Sequence, residues 1–179
     1  MATWSSRGLR GSQLEELINI TNEKYRENNL ALIQKIPTPI KPVEIDDNRH
    51  ITMAYFEQRS TVDYIGVVQS YPVCFDAKEC ATETFALSNV HEHQYEFMKD
   101  FEAQGGVAFL LIYFTGIDQY YYMRFKELDK FYTRAANGGP KSFKTEELNP
   151  AYMLHSIQGA PVHYIEGINR DIEEPDREE

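Results

Sequence analysis

Eight consecutive apolar residues, Val107-Ala108-Phe109-Leu110-Leu111-Ile112-Tyr113-Phe114, constrain this chain more than any other stretch. The run is too short to cross a bilayer and has the length of a strand. A strand that is apolar on both faces must be covered on both faces, which calls for a sheet with helices layered over it. Gly116-Ile117-Asp118 reads as the turn that follows. Gln119 to Phe125 reads as the next strand, with Tyr120, Tyr122 and Arg124 alternating against Tyr121, Met123 and Phe125. Its tyrosine triplet fits β-structure better than a base-stacking platform.

The covering helices are legible on either side of this core. Ser12-Gln13-Leu14-Glu15 fits a capping box, with Glu15 as partner of the Ser12 cap. Leu14, Leu17, Ile18, Thr21 and Tyr25 continue at helical spacing and predict a helix from about Ser12 to Arg26. Val90, Gln94, Phe97, Met98 and Phe101 share one face of a second helix, ended by Gly105-Gly106. His91 and His93 lie two apart there, so a helix points them to different sides and they are not a metal-ligating pair. A third helix is predicted over Leu128 to Ala136, followed by a modest basic patch of Lys141, Lys144 and Arg134. His155 to Tyr164 reads as a loop before a short final element. With a strand at Leu30 to Ile36, and a short apolar stretch at Phe85 to Leu87, the fold class is α/β: a central mixed sheet flanked by helices.

Between the first strand and the core lies an excursion. The prolines of Pro37-Thr38-Pro39-Ile40-Lys41-Pro42 exclude a central strand or a helix. Val43 to Ile45 and His50 to Phe56 read as the arms of a projecting hairpin, with Asp46-Asp47-Asn48 as its turn. Lys35, Lys41, Arg49, Tyr55, Phe56 and Arg59 interleave cations and aromatics along this segment, a pattern that suits contact with phosphates and bases.

Chemistry concentrates on the next pair of strands, Ser60 to Val68 and Tyr71 to Glu79, joined at Gln69-Ser70. Asp76 and Lys78 are two residues apart and project from one face, and Asp63 reaches the same edge from the neighbouring strand. Two carboxylates suit a hard cation such as Mg2+, and an adjacent lysine suits a phosphate. Asp-x-Lys alone is a common pattern, and taken by itself it fits a solvated ion pair at a strand end better than a site.

Composition narrows the classes. A chain of 179 residues is one domain's worth, and two cysteines, Cys74 and Cys80, are too few for a disulfide framework or a cysteine-only zinc site. The N-terminus lacks the apolar core of a secretion signal, and the expected location is cytoplasmic, with no membrane partner. The net charge of −10 argues against a generic nucleic-acid binder. Half of it sits in residues 171–179, whose six acids and one arginine give −5 and read as a solvated, disordered tail. Residues 1–9 read as a flexible N-terminus.

The sequence resembles the RecU-type Holliday-junction resolvases. The likeness runs through Arg10-Gly11, Leu14-Glu15, Thr21-Asn22 and Tyr25, then Ala31 to Ile33, Lys35 and Pro37-Thr38-Pro39. It continues in Ala54-Tyr55-Phe56, Gln58, Ser60-Thr61, Asp63-Tyr64 and Gly66. Phe75-Asp76-Ala77-Lys78-Glu79, His91, His93-Gln94, Met98-Lys99 and Gly159-Ala160-Pro161 complete it. The resemblance implies a restriction-endonuclease-like fold, the PD-(D/E)xK class, over residues 1–179, with residues 37–59 as a stalk inserted in it. It implies a dimeric, Mg2+-dependent endonuclease, with Mn2+ as an alternative, that nicks four-way DNA junctions in pairs during recombination and repair. The implied catalytic residues are Asp63, Asp76, Lys78 and Glu15, with Asp63, Asp76 and Glu15 on the metal. The implied DNA contacts are Arg10, Lys35, Arg49, Tyr55, Phe56 and Arg59, and the RecA recombinase is an implied partner. The chain departs from the family in having Asp76 where glutamate is usual, and a shorter, less basic stalk with Asp46-Asp47 at its tip. Two other readings are a catalytically weak junction- or RecA-binding module of the same fold and a nuclease acting on linear ends.

Overall fold

Ser12 opens the first helix as predicted: its hydroxyl accepts the Glu15 backbone N–H at 3.2 Å. Helix α1 covers Gln13–Glu27 and buries Leu14, Ile18, Thr21 and Tyr25 along one face. The structure, a computed structural model, describes residues 12–56 and 61–173. Arg10, Arg59 and the N-terminus expected to be flexible therefore lie outside the described residues.

In chain order the strands are β1 (Ala31–Lys35), β2 (Ile40–Ile45), β3 (Ile51–Phe56), β4 (Tyr64–Val68), β5 (Tyr71–Cys80) and β6 (Thr84–Ala86), followed by β7 (Val107–Phe114), β8 (Gln119–Arg124), β9 (Ser142–Lys144) and β10 (Met153–Leu154). The remaining helices are α2 (Glu92–Ala103), α3 (Phe125–Ala136) and α4 (Ile165–Glu173). A six-stranded sheet runs β1-β4-β5-β7-β8-β10. Only β5 and β7 are parallel; their crossover includes α2. The expected mixed α/β sheet is therefore present, with β5 and β7 at its centre.

The apolar run behaves as its composition demands: all of β7 except Val107 is buried. On the α1 side the rings of Tyr64, Phe75 and Phe109 stack across β4, β5 and β7 at 4.7 Å centroid spacings. Tyr164 packs on that stack, and Tyr25 of α1 packs edge-on against Tyr164. On the other side α2 contributes the buried Met98 and Gln94. Gly105, at φ +81, lets the chain leave α2 in the left-handed conformation that side chains resist. Gly66 admits β1 at close range, since a Cβ there would lie 2.2 Å from the Leu32 carbonyl oxygen.

Residues 40–56 form the expected hairpin, apart from the main sheet. Its first arm starts at Ile40 and so includes Pro42, a strand position that a two-stranded edge tolerates and a central strand does not. The register shifts on both sides of Glu44. Asp46 organises the tip: its Oδ1 accepts from the backbone N–H groups of Asn48 and His50.

Three features differ from the sequence reading. Helix α3 begins at Phe125 rather than Leu128, because Phe125 is buried and extends the apolar face. The pairing of β6 with β9, and β10 itself, involve three residues or fewer per strand, below the length at which periodicity speaks. The acidic end also starts later than expected. Asp171 to Glu173 complete α4, and the Tyr122 hydroxyl donates to Asp171 at 3.1 Å, so these residues are not a disordered tail. Residues 174–179 lie outside the described set. No helix among the described residues is long and apolar enough to cross a membrane.

Candidate active site

The antiparallel register of β4 and β5 sets Tyr64 opposite Phe75. Continuing that register by one residue puts Asp63 across from Asp76. The two acids brace each other's backbone. The Asp63 N–H donates to Asp76 Oδ1 at 3.1 Å, and the Ala77 N–H donates to Asp63 Oδ2 at 3.0 Å. Lys78, two residues on, turns its ammonium back to 2.5 Å from Asp76 Oδ2. The predicted grouping of Asp63, Asp76 and Lys78 is thus assembled by strand pairing alone.

A fourth side chain completes it. Gln94, buried in the first turn of α2, donates from Nε2 to Asp76 Oδ1 at 2.9 Å. Its Oε1 accepts from Lys78 Nζ at 3.2 Å and from the His91 N–H at 3.1 Å. One amide therefore fixes the acid, the lysine and the start of α2. The sequence signal was a glutamine on an otherwise apolar helix face, to which no role was assigned.

Electrostatically the pair is poised to accept positive charge. Asp76 has no solvent exposure. Burial, and then the charge of Asp63, push its carboxyl up to about 7, against the pull of Lys78. Asp76 Oδ2 accepts no hydrogen bond of ordinary geometry, although Lys78 lies beside it. A buried oxygen left without a hydrogen bond next to a second carboxylate fits a hard divalent cation, which prefers such donors. Among the described residues no three His, Cys, Asp or Glu side chains are gathered for a metal; the donors in contact are the two aspartates.

Glu15 approaches from the opposite side of the sheet. It makes no capping box; its carboxylate pairs with Lys35 at 2.7 Å, between α1 and β1. Burial and then the charges of Glu15, Asp63 and Asp76 all raise the Tyr64 hydroxyl's pKa, so Glu15 belongs to the same electrostatic neighbourhood without touching the aspartates.

The expected DNA contacts fall into groups. Lys35 is held by Glu15 at the root of the hairpin. Arg49 sits in the tip turn at φ +65, and Tyr55 is exposed on β3. The backbone of Phe56 ends β3. Of the basic patch, Arg134 is engaged by Glu147 and the Ser142 carbonyl. His91 and His93 do not diverge as predicted. His91 is the N-cap of α2 rather than a helical residue, and the two rings stack at 5.4 Å.

Comparison with known proteins places this arrangement in context. A family model described as recombination protein U matches residues 9–170. The Holliday junction resolvase RecU of Pediococcus pentosaceus is 37% identical over 172 residues, covering 93% of this chain and 86% of its own. The protein of that name from Bacillus cereus strain B4264 is 40% identical over 169 residues, covering 91% and 83%. Among solved structures, the Holliday junction resolvase Hjc of Archaeoglobus fulgidus aligns over 65% of this chain and 73% of its own, at 8% identity and a TM-score of 0.39.

Proposed function

The chain belongs to the recombination protein U family, and from that premise we propose that it is a Holliday-junction resolvase: a metal-dependent endonuclease that hydrolyses phosphodiesters at four-way DNA junctions. The observation that carries the proposal is the grouping of Asp63, Asp76, Lys78 and Gln94 on β4, β5 and α2. Asp63 and Asp76 are the residues that would hold Mg2+, or Mn2+ in its place. Bound there, such a cation supplies Lewis acidity toward a phosphate oxygen and a water.

The protein's own groups supply the rest. The Lys78 ammonium has three N–H donors. One is directed at Gln94 and the ammonium is ion-paired with Asp76, which leaves N–H groups for a phosphate oxygen on which charge develops. Gln94 keeps the ammonium from collapsing onto Asp76 alone. The attacking water gives up a proton as it forms a bond to phosphorus, while one ester oxygen departs with the bonding electrons and takes up a proton. Glu15, released from Lys35, would be the third acid, since it acts on Tyr64 together with the two aspartates.

The hairpin supplies junction selectivity. Ile51, Met53 and Tyr55 alternate onto one face of β3, with Lys41 and Ile45 opposite Tyr55 and Ile51 on β2. All of them are exposed. Such a face suits unstacked bases at a junction centre, while Lys35 and Arg49 suit its phosphates. Two symmetric nicks require two equivalent sites, so the working form is a homodimer.

Cleavage of a synthetic four-way junction and of a linear duplex, with Mg2+, by wild type and Asp63→Asn tests this reading. Paired nicks confined to the junction, and absent with Asp63→Asn, are expected. Tight junction binding without cleavage by the wild type would instead favour a binding module.

A further inference from the structure

Strand β5 carries three charged side chains, Asp76, Lys78 and Glu79. The site on the α2 face uses the first two. Alternation turns Glu79 to the other face, with Phe75 and Ala77. There its Oε1 accepts the backbone N–H of Leu14, in the first turn of α1, at 2.7 Å. The two residues are 65 apart in the chain, so the bond joins two elements and is not a local cap.

A helix leaves its first N–H groups without partners inside the helix. In α1 two of them find side chains: Ser12 accepts from Glu15, and Glu79 from Leu14. Leu14 is fully buried, so an N–H left unmet there is costly. Capping alone explains what the bond adds to stability. It does not explain why the cap comes from the strand that carries Asp76 and Lys78, or why it grips the residue next to Glu15.

We propose that Glu79 is a positioning residue of the nuclease site: by tying the first turn of α1 to β5, it holds Glu15 within reach of Asp63 and Asp76. The inference rests on the resolvase reading, in which Glu15 is the third acid, and adds what places that acid. Helix ends fray unless they are held. The Asn19 side chain, which accepts the Tyr64 hydroxyl at 3.2 Å, ties α1 to the sheet only a turn further on. Lys35 holds the Glu15 carboxylate itself, and that hold ends when Glu15 turns to a cation. The Glu79 bond is to backbone, so it persists whichever partner Glu15 takes. Strand β5 thus serves as one frame for both faces of the site, with Asp76 and Lys78 on one side and the root of Glu15 on the other. Glu79 does this with an oxygen and not with its charge, so a glutamine, whose amide oxygen has the same reach, should serve as well.

Mn2+ binding by the full chain, followed by the electron paramagnetic resonance of the free ion, tests this without DNA or turnover. The variants are Glu79→Ala, Glu79→Gln, Glu15→Gln and the double variant Glu79→Ala/Glu15→Gln. Glu79 is otherwise exposed, so its replacement leaves the core intact. Circular dichroism establishes that each variant is folded, and Glu79→Thr replaces Glu79→Ala if that one is not. Glu15→Gln and Glu79→Ala should each raise the Mn2+ dissociation constant by about 10-fold. The double variant should bind no more weakly than Glu15→Gln alone, because the two residues act as one. Glu79→Gln should bind like the wild type. Losses that multiply in the double variant overturn the inference. So does a Glu79→Gln as weak as Glu79→Ala, which marks a charge acting at a distance. A wild type that binds no Mn2+, or an affinity indifferent to Glu79→Ala, overturns it too. Junction cleavage on the same preparations separates the two readings. Wild-type cleavage with an affinity indifferent to Glu79→Ala removes the positioning role and leaves the resolvase. The expected Mn2+ pattern in a chain that leaves the junction uncut removes the resolvase and leaves the positioning role.

Discussion

Strand β7 and the β2–β3 hairpin are written in the same alphabet of Ile, Val, Ala, Tyr and Phe, yet almost all of β7 is buried and every residue of β2 is exposed. The difference is layering. β7 has a strand on each side and helices over both faces, whereas the hairpin pairs only with itself. Apolar side chains stabilise a fold in the first setting. In the second they are a surface kept for something else, since an isolated two-stranded hairpin buries too little to be held by its own packing. On the proposed function, the body does the chemistry and the hairpin chooses the substrate.

Removing a ring from the body should have the largest effect. Phe109→Ala deletes the ring stacked between Phe75 and Tyr122 and should cost about 3–5 kcal/mol of stability, read by chemical denaturation. Met53→Ala or Ile45→Ala in the hairpin should stay within about 0.5 kcal/mol. Equal losses in the two regions would erase the distinction. Replacing residues 40–56 with a short Gly-Ser linker sharpens it further. The Ile36–Asp63 bond and the β1–β4 ladder close the root without the hairpin, so the shortened chain should unfold like the wild type. Its preference for junctions over linear duplex should be lost.

Within the body, Gln94→Ala should lower cleavage by about 10–100-fold, the usual cost of losing a group that orients ligands and acids. Thermal stability should fall modestly, because the α2 start loses its Gln94 partner as well. Junction affinity should be unchanged, since Gln94 is buried.

Much of this was legible beforehand because it depends on local rules. Alternation along β5 put Asp76 and Lys78 on one face, and the turn at Gln69-Ser70, where both φ values are positive, fixed the register that brings Asp63 across. The eight-residue apolar run identified a strand at the sheet's centre. What escaped depends on tertiary partners. Glu15 satisfies the capping pattern on paper, but Lys35 from β1 offers a charged partner, and the ion pair prevails. His91 looked helical because the apolar face begins at Val90, while the chain enters α2 only after it. Gln94 could be placed on a face but not given its three partners, two of which arrive from β5.

The smallest predicted effect concerns a half-buried corner of the body. Burial lowers the pKa of His163, whose Nδ1 lies 3.0 Å from the Tyr25 hydroxyl. The folded state therefore favours the neutral ring. Its contribution to stability is complete above the unfolded value of about 6.5 and is lost as pH falls through and below it. Between about pH 8 and about pH 5 the wild type should lose more thermal stability than His163→Asn. An identical loss in both would remove His163 from the account.

The division of labour stands or falls on Asp76. Junction binding and junction cleavage, measured with Mg2+ on the same preparation of Asp76→Asn, separate the two functions. The account predicts affinity close to that of the wild type with cleavage abolished. Cleavage retained at the wild-type rate would contradict it and move the chemistry away from β4 and β5.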